Sequence, residues 1–590
     1  MPTLALRSFL CNSLLVLAFV AAPAALAVPK PAPQAVIVAS HPLASEAGLE
    51  MLKRGGSAVD AAIAAQMVMT LVEPQSSGIG GGLFLLHHDA KSGRLVNYDG
   101  RETAPASVTP NLFIGPDGKT VSFVDAVVGG RSVGVPSVIA TLWEAHKAHG
   151  KLPWADLFQP AIKLAREGFP VSARLAKVIG MVPSLALIPE TSAYFRPGGK
   201  ALAEGDILKN AALAETFQLV AAKGPDGFYK GKVAQAIVDA VTKALRGAVA
   251  LTLKDLQSYK PRKRDSLCGN YRGYKICGMR PPSSGGVTSL QILKLLERFD
   301  MGALAPKSAR AIHLFADAQR LAFADRAAFM GDPDFVPVPV AGLLDGGYVK
   351  KRSLLINEAT ALVQANVMPG DPRGASRLYR RLRIPDHSKP STAHVSIMDA
   401  KGNAVAMTTT VEGPFGSHLM AAGFMLNNQL TDFSLSPTDA EGRPVANRVE
   451  PGKRPRSSMA PSFVFNADGD VEAVVGSPGG GNIIQYVVKT LVGLVDWKLD
   501  IQAAIDLPNF GAQTSATTEV EKGTALAALQ PGLVARGHSV AVVDINSGLQ
   551  GIVFNDLRGT TPAPFAKAPG QGRWAGGADP RREGTAKGTK

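Results

Sequence analysis

One boundary in the chain constrains its fold more than any other feature. Residues 365–391 have no periodic apolar pattern. They carry Pro369-Gly370-Asp371-Pro372, a basic run over 377–383, then Pro385 and Pro390, the composition of an exposed linker. The linker gives way abruptly to Ser391-Thr392-Ala393-His394-Val395-Ser396-Ile397-Met398-Asp399, where polar and apolar residues alternate from His394 to Ile397, the pattern of a half-buried strand. Residues 399–403 supply a turn and 404–411 return as a second strand. A hairpin centred on Lys401 sets Thr392 opposite Thr410, two hydroxyls side by side where linker meets sheet. From local pattern alone, the default reading of both threonines is as ordinary strand residues.

The rest of the chain alternates strands and helices. Residues 35–39 read as a short strand. Ser57 and Asp60 have the spacing of a capping box for a helix over 58–71, which is apolar or small nearly all round and so buried on most sides. The glycines of 78–82 lead into a strand over 83–87. No Gly-Lys-Ser/Thr follows them and the helix precedes them, so tight-turn packing is favoured over a phosphate loop. Residues 136–358 are mostly helical in period, with helices expected over 137–149, 154–167, 210–222 and 311–329.

The chain has 590 residues, 46% hydrophobic and 19% charged, enough to bury a large core. Its net charge of +15 is dispersed, without a basic stripe interleaved with aromatics, which argues against nucleic acid. A basic start to Arg7, an apolar run over 8–20 and Ala25-Leu26-Ala27 have the form of a secretory leader over residues 1–27. The mature protein is then exported, to the periplasm or the medium, beginning near Val28 with a proline-rich lead-in. No other stretch is long and apolar enough to span a bilayer. Removal of the leader takes Cys11, leaving Cys268 and Cys277 on a hairpin centred between Arg272 and Gly273, directly opposed. They are a disulfide in an oxidising compartment or two unpaired thiols.

An ordered set of motifs resembles the γ-glutamyltranspeptidase family, from about Val36 to the neighbourhood of Trp574. Residues 391–396 and Gly402-Asn403-Ala404-Val405 resemble the start of the family's small subunit. Asp99-Gly100-Arg101-Glu102-Thr103-Ala104-Pro105 resembles its arginine motif. Residues 280–286, 324–326 and 331–333 match its large subunit. Leu426-Asn427-Asn428-Gln429, Asp432-Phe433-Ser434, residues 453–459 and Gly476-Ser477-Pro478-Gly479-Gly480 follow in order.

The resemblance implies an α+β fold of the N-terminal nucleophile hydrolase type, a four-layer α/β/β/α sandwich with two antiparallel sheets between helical layers. It implies self-cleavage between Ser391 and Thr392, giving a large subunit (28–391) and a small catalytic subunit (392–590). A threonine hydroxyl is a poor nucleophile without a base beside it. The α-amine freed on Thr392, with an ordinary pKa of about 7.7–8.0, supplies one. On this reading Thr410 orients Thr392, Thr408 assists the cleavage, and the backbone N–H groups of Gly479 and Gly480 form the oxyanion hole. Arg101 grips the α-carboxylate of a γ-glutamyl group, Ser457 and Ser458 add hydroxyls, and Gln429 and Asp432 bind its ammonium. Glu412 stands where better-known members carry asparagine, and the stretch between Phe433 and Ser457 is shorter and lacks tyrosine. The implied reaction transfers a γ-glutamyl group from glutathione or a related amide to water or an amino acid or peptide, with no metal or organic cofactor. Two alternatives are a glutaryl (cephalosporin) acylase with the same machinery and an uncleaved, non-catalytic binding relative.

Overall fold

In the computed structural model, which describes residues 35–247, 249–362, 367–375, 391–513, 517–555 and 573–589, the chain begins with β1 (Val36–Ala39), α1 (Pro42–Lys53) and α2 (Ala58–Val72). The leader over 1–27 lies outside the described residues. Ser57 caps α2 as its spacing predicts: the Ser57 hydroxyl accepts from the Asp60 N–H at 3.2 Å and the Asp60 carboxylate from the Ser57 N–H at 2.8 Å. Every residue of α2 is buried.

Then follow β2 (Gly82–Asp89), β3 (Arg94–Gly100), β4 (Arg262–Arg264), β5 (Leu267–Tyr271) and β6 (Tyr274–Gly278), and the helices α3 (Gly285–Leu296) and α4 (Ala309–Phe329). After the linker come β7 (Ala393–Met398), β8 (Ala404–Thr410), β9 (Ser462–Phe465), β10 (Val471–Gly476) and α5 (Ile483–Val495). The chain closes with β11 (Gln550–Asn555), β12 (Arg573–Ala578) and β13 (Thr585–Gly588).

One seven-stranded sheet runs β13-β1-β7-β8-β2-β3-β4 and one six-stranded sheet runs β12-β11-β10-β9-β6-β5, with every neighbouring pair antiparallel. β7 and β8 stack on β10 and β11, α1 and α2 cover the outer face of the first sheet, and α3 and α5 cover the second. This is the four-layer sandwich the resemblance implies, and strands from both sides of Thr392 enter each sheet.

The hairpin at Thr392 forms in the predicted register, with Ala393 opposite Thr409 and Met398 opposite Ala404. It is buried on both faces, not one. Val395 and Ile397 pack toward α2. The alternate residues His394 and Ser396 face the second sheet: His394 Nδ1 is 2.8 Å from Thr408 Oγ1, His394 Nε2 is 3.1 Å from Ser396 Oγ, and Ser396 Oγ donates to the Gln550 carbonyl at 3.2 Å. Burial holds the His394 imidazole down to about 3, so it stays neutral. A side chain at Gly476 would place its Cβ 2.1 Å from the His394 ring; glycine there makes room for the imidazole.

One other expectation is revised. Residues 154–167 split into a 3₁₀ turn, Trp154–Phe158, and an α-helix, Gln159–Glu167, because Pro160 has no N–H to continue a helix through it. Where it is described, the linker exposes Met368, Asp371, Arg373 and Gly374 and is held at a few points. Val367 and Pro372 are buried, the Gly370 N–H donates to Asp325 at 2.8 Å, and Ser391 is buried at its far end. Residues 376–390 lie outside the described residues.

Cys268 and Cys277 pair across β5 and β6 and form a disulfide. The turn between these strands has Arg272 and Gly273 both at positive φ, 50° and 85°, as a two-residue hairpin turn requires. Replacing both cysteines by serine is expected to lower stability by no more than about 2–3 kcal/mol, the value for so short a loop, with turnover unchanged. Urea midpoints measured beside activity check this.

Candidate active site

Thr392 sits immediately before β7 and is 4% exposed. Its Oγ1 lies 3.1 Å from Thr410 Oγ1, which also accepts the Glu412 N–H at 2.8 Å. Thr392 has φ +78°, an outlying conformation for a β-branched residue that costs of the order of 1–3 kcal/mol. The peptide that precedes it is gripped from several sides. Ser391 Oγ donates to the Gln75 carbonyl at 2.6 Å, and the Ser391 carbonyl accepts the Gly479 N–H at 3.1 Å. Gly479, at φ +138°, and Gly480, at φ +59°, adopt backbone that other residues rarely enter. Thr408 occupies the same face of β8 as Thr410, but its hydroxyl bonds to His394.

A small pocket opens beside Thr392, lined by Arg101, Thr410, Glu412, Gln429, Asp432, Ser457, Ser458 and Gly480, with Met459 and Ile483 as apolar walls. Arg101, at the end of β3, is fully buried, and its guanidinium donates to Asp432, to the Pro455 carbonyl at 3.2 Å and to the Arg456 carbonyl at 2.9 Å. Gln429 Nε2 donates to Asp432 Oδ2 at 2.8 Å, and Asn428 donates to the Glu412 carboxylate. Ser457 Oγ accepts from the Met459 N–H at 3.1 Å and Ser458 Oγ from Arg326 at 2.6 Å. Each hydroxyl therefore has its own proton to donate. The pocket presents a cation, two carboxylates and hydroxyl donors within reach of one threonine.

Glu102, next to Arg101, is wholly buried with neither carboxylate oxygen hydrogen-bonded. Burial raises it from 4.5 to about 8 against the pull of Arg101. The raised value means that the folded state holds a proton the unfolded chain releases. The associated stability is complete below pH 4.5 and is lost as pH rises toward 8. Glu102→Gln is expected to remove this slope, so urea midpoints at pH 5 and pH 8 should differ less in the variant than in the parent.

Among the described residues, His313, Asp317 and His538 group as metal ligands would, but none lines the pocket. Their ring nitrogens are already engaged. His313 Nε2 donates to the Asn357 carbonyl at 2.7 Å, His313 Nδ1 meets His538 Nε2 at 2.8 Å, and His538 Nδ1 meets Thr518 Oγ1 at 2.9 Å. Arg320 also contacts this cluster, and a guanidinium there opposes a second cation.

The family model for γ-glutamyltranspeptidase matches residues 44–589. The chain belongs to the γ-glutamyltranspeptidase family. It is similar to the glutathione hydrolase proenzyme of Bacillus subtilis (strain 168), 38% identical over 534 residues covering 89% of this chain and 88% of that protein. It is also similar to the acylase ACY 1 proenzyme of Pseudomonas sp. (strain SE83), 36% identical over 546 residues covering 91% and 92%. The crystal structure of cephalosporin acylase from Bacillus halodurans superposes with a TM-score of 0.81 at 27% identity, covering 96% of this chain and 99% of that one.

In this γ-glutamyltranspeptidase relative, every pocket residue expected from the sequence lies at one site; Cys268 and Cys277 lie elsewhere. The match also runs past Trp574, where the recognised motifs end, and the structure draws a residue from that region into the site. Arg582 Nη1 donates to the Thr392 carbonyl at 2.9 Å. Nothing in the local pattern of Arg581 and Arg582 marks either as more than a surface charge. Gln75, whose carbonyl holds Ser391, was equally silent.

Proposed function

We propose that this protein is a self-cleaving γ-glutamyl hydrolase and transferase whose nucleophile is Thr392. The observation that carries the reading is the position of Thr392, its Oγ1 3.1 Å from a second hydroxyl, in the lining of a pocket that also holds Arg101, Asp432 and Gln429. Cleavage at Ser391–Thr392 makes Thr392 the first residue of a small subunit, 392–590, that stays packed on a large subunit through the shared sheets. The new α-amine takes the Thr392 hydroxyl proton as Oγ1 attacks the γ-amide carbonyl. The tetrahedral oxyanion is stabilised by backbone N–H groups at Gly479 and Gly480, a donor of this kind contributing ~2.7–4 kcal/mol. Collapse expels the amine with that proton and leaves a γ-glutamyl ester, which water or an acceptor amine cleaves. The leader at residues 1–27 directs the protein out of the cytoplasm.

The Arg101–Asp432 pair supports a zwitterionic head group. An α-carboxylate takes the guanidinium and an α-ammonium takes Asp432, with Gln429 and Glu412 beside it, so both charges stay paired. A second reading, acylase action on glutaryl amides, is favoured by the similarity to acylase ACY 1. Glutaryl brings a carboxylate but no ammonium, and would leave Asp432 and Glu412 facing it without a new partner. The test compares kcat/KM for γ-glutamyl and glutaryl anilides: preference for γ-glutamyl supports the proposal, and preference for glutaryl moves the assignment to the acylases. Turnover of neither would favour a binding relative.

A further inference from the structure

Arg582 lies in the turn between β12 and β13, near the C-terminal end of the described chain, and is 5% exposed. Its guanidinium straddles the junction peptide, with Nη1 2.9 Å from the Thr392 carbonyl oxygen and Nη2 3.5 Å from the Ser391 carbonyl oxygen, the oxygen that also accepts the Gly479 N–H at 3.1 Å. The stem of the side chain is accommodated by Gly548, where an added Cβ would stand 2.6 Å from both Arg582 Cδ and Pro478. A cation buried this completely is costly unless it meets charge. The groups facing it are Glu73, Asp579 and Tyr486, with Arg174 opposing, and Arg174 is itself paired to Glu73 at 2.7 Å. Burial brings the Arg582 guanidinium down to about 9, still charged at neutral pH.

We propose that Arg582 is a catalytic residue of self-cleavage: with the Gly479 N–H it holds the negative charge that develops on the Ser391 carbonyl oxygen. The inference rests on the self-cleavage reading above and adds to it a group used on the chain's own peptide. Thr392 Oγ1 bonds to the Ser391 carbonyl carbon, and the carbonyl electron pair moves onto oxygen, between Gly479 and Arg582. As the tetrahedral centre collapses, the C–N bond breaks and the hydroxyl proton ends on the Thr392 nitrogen, leaving Ser391 esterified to Oγ1. Water then hydrolyses the ester, giving the Ser391 carboxylate and returning a hydrogen to Oγ1. The left-handed backbone at Thr392 is relieved by the same bond breaking. Arg582 thus gives the first step a fixed positive charge aimed at the forming oxyanion.

The test follows cutting of the pulse-labelled full-length chain with time, for the parent, Thr392→Ala, Arg582→Met and Arg582→Lys. Arg582→Met is expected to cut about 10²–10³-fold more slowly than the parent, the loss seen when one oxyanion donor is removed. Its urea midpoint should match that of uncut Thr392→Ala. Cutting of Arg582→Met at the parental rate overturns the proposal while leaving self-cleavage intact. Should Arg582→Met unfold more easily than Thr392→Ala, Arg582→Lys decides, because it keeps the charge but cannot span both carbonyls. Slowing of about tenfold at an unchanged midpoint supports the proposal, and parental cutting overturns it. A parent that never cuts removes the self-cleavage reading itself.

Discussion

Thr392→Ala is expected to remain a single chain and to lose at least about 10⁴-fold in kcat toward a γ-glutamyl amide, the scale on which removing a nucleophile acts. The fold should survive, since Thr392 precedes β7 and its side chain adds one hydroxyl pair to a hairpin otherwise held along its whole length. Thr410→Ala removes only the partner hydroxyl and should cost far less. Comparison of the two by turnover and by gel separates the group that attacks from the group that orients it. Equal losses would mean that the hydroxyl pair acts as one unit.

Arg101→Met should lower kcat/KM for a γ-glutamyl amide by about 10²–10³-fold, since truncating one partner of a buried charge pair costs about 2–5 kcal/mol. Arg101 meets Asp432 and two backbone carbonyls at once. Its loss takes the guanidinium from beside Asp432 and removes, among the described residues, the one guanidinium that lines the pocket. Part of the loss is expected in stability, and urea midpoints taken beside the kinetics apportion it. Asp432→Asn should hurt γ-glutamyl amides more than glutaryl amides, because only the former carry the ammonium.

The two threonines show how far local pattern reaches. Hairpin geometry alone sets Thr392 opposite Thr410, since a turn centred on Lys401 admits one register, and the same arithmetic pairs Cys268 with Cys277. What local pattern misses is the second sheet. His394 and Ser396 look like solvent-facing polar residues, yet they face β10 and β11, because alternation reports which side differs and not what lies there. Arg101, Gln429, Asp432, Ser457 and Ser458 come from three distant stretches, and no periodicity gathers them. They were legible only through resemblance to the γ-glutamyltranspeptidases. Arg582 was legible by neither route, lying beyond the last recognised motif and next to another arginine that binds Glu521 instead. Its meaning comes from a turn that returns the C-terminus to the junction peptide.

The proposed chemistry requires that Thr392 become an N-terminal nucleophile. Intact mass of the purified protein under denaturing conditions, before and seconds after mixing with a γ-glutamyl anilide, tests it most directly. Two chains are expected, the smaller beginning at Thr392 and gaining the mass of one γ-glutamyl group at early times. A single chain that nonetheless turns the anilide over, or an adduct on any residue other than Thr392, would contradict it.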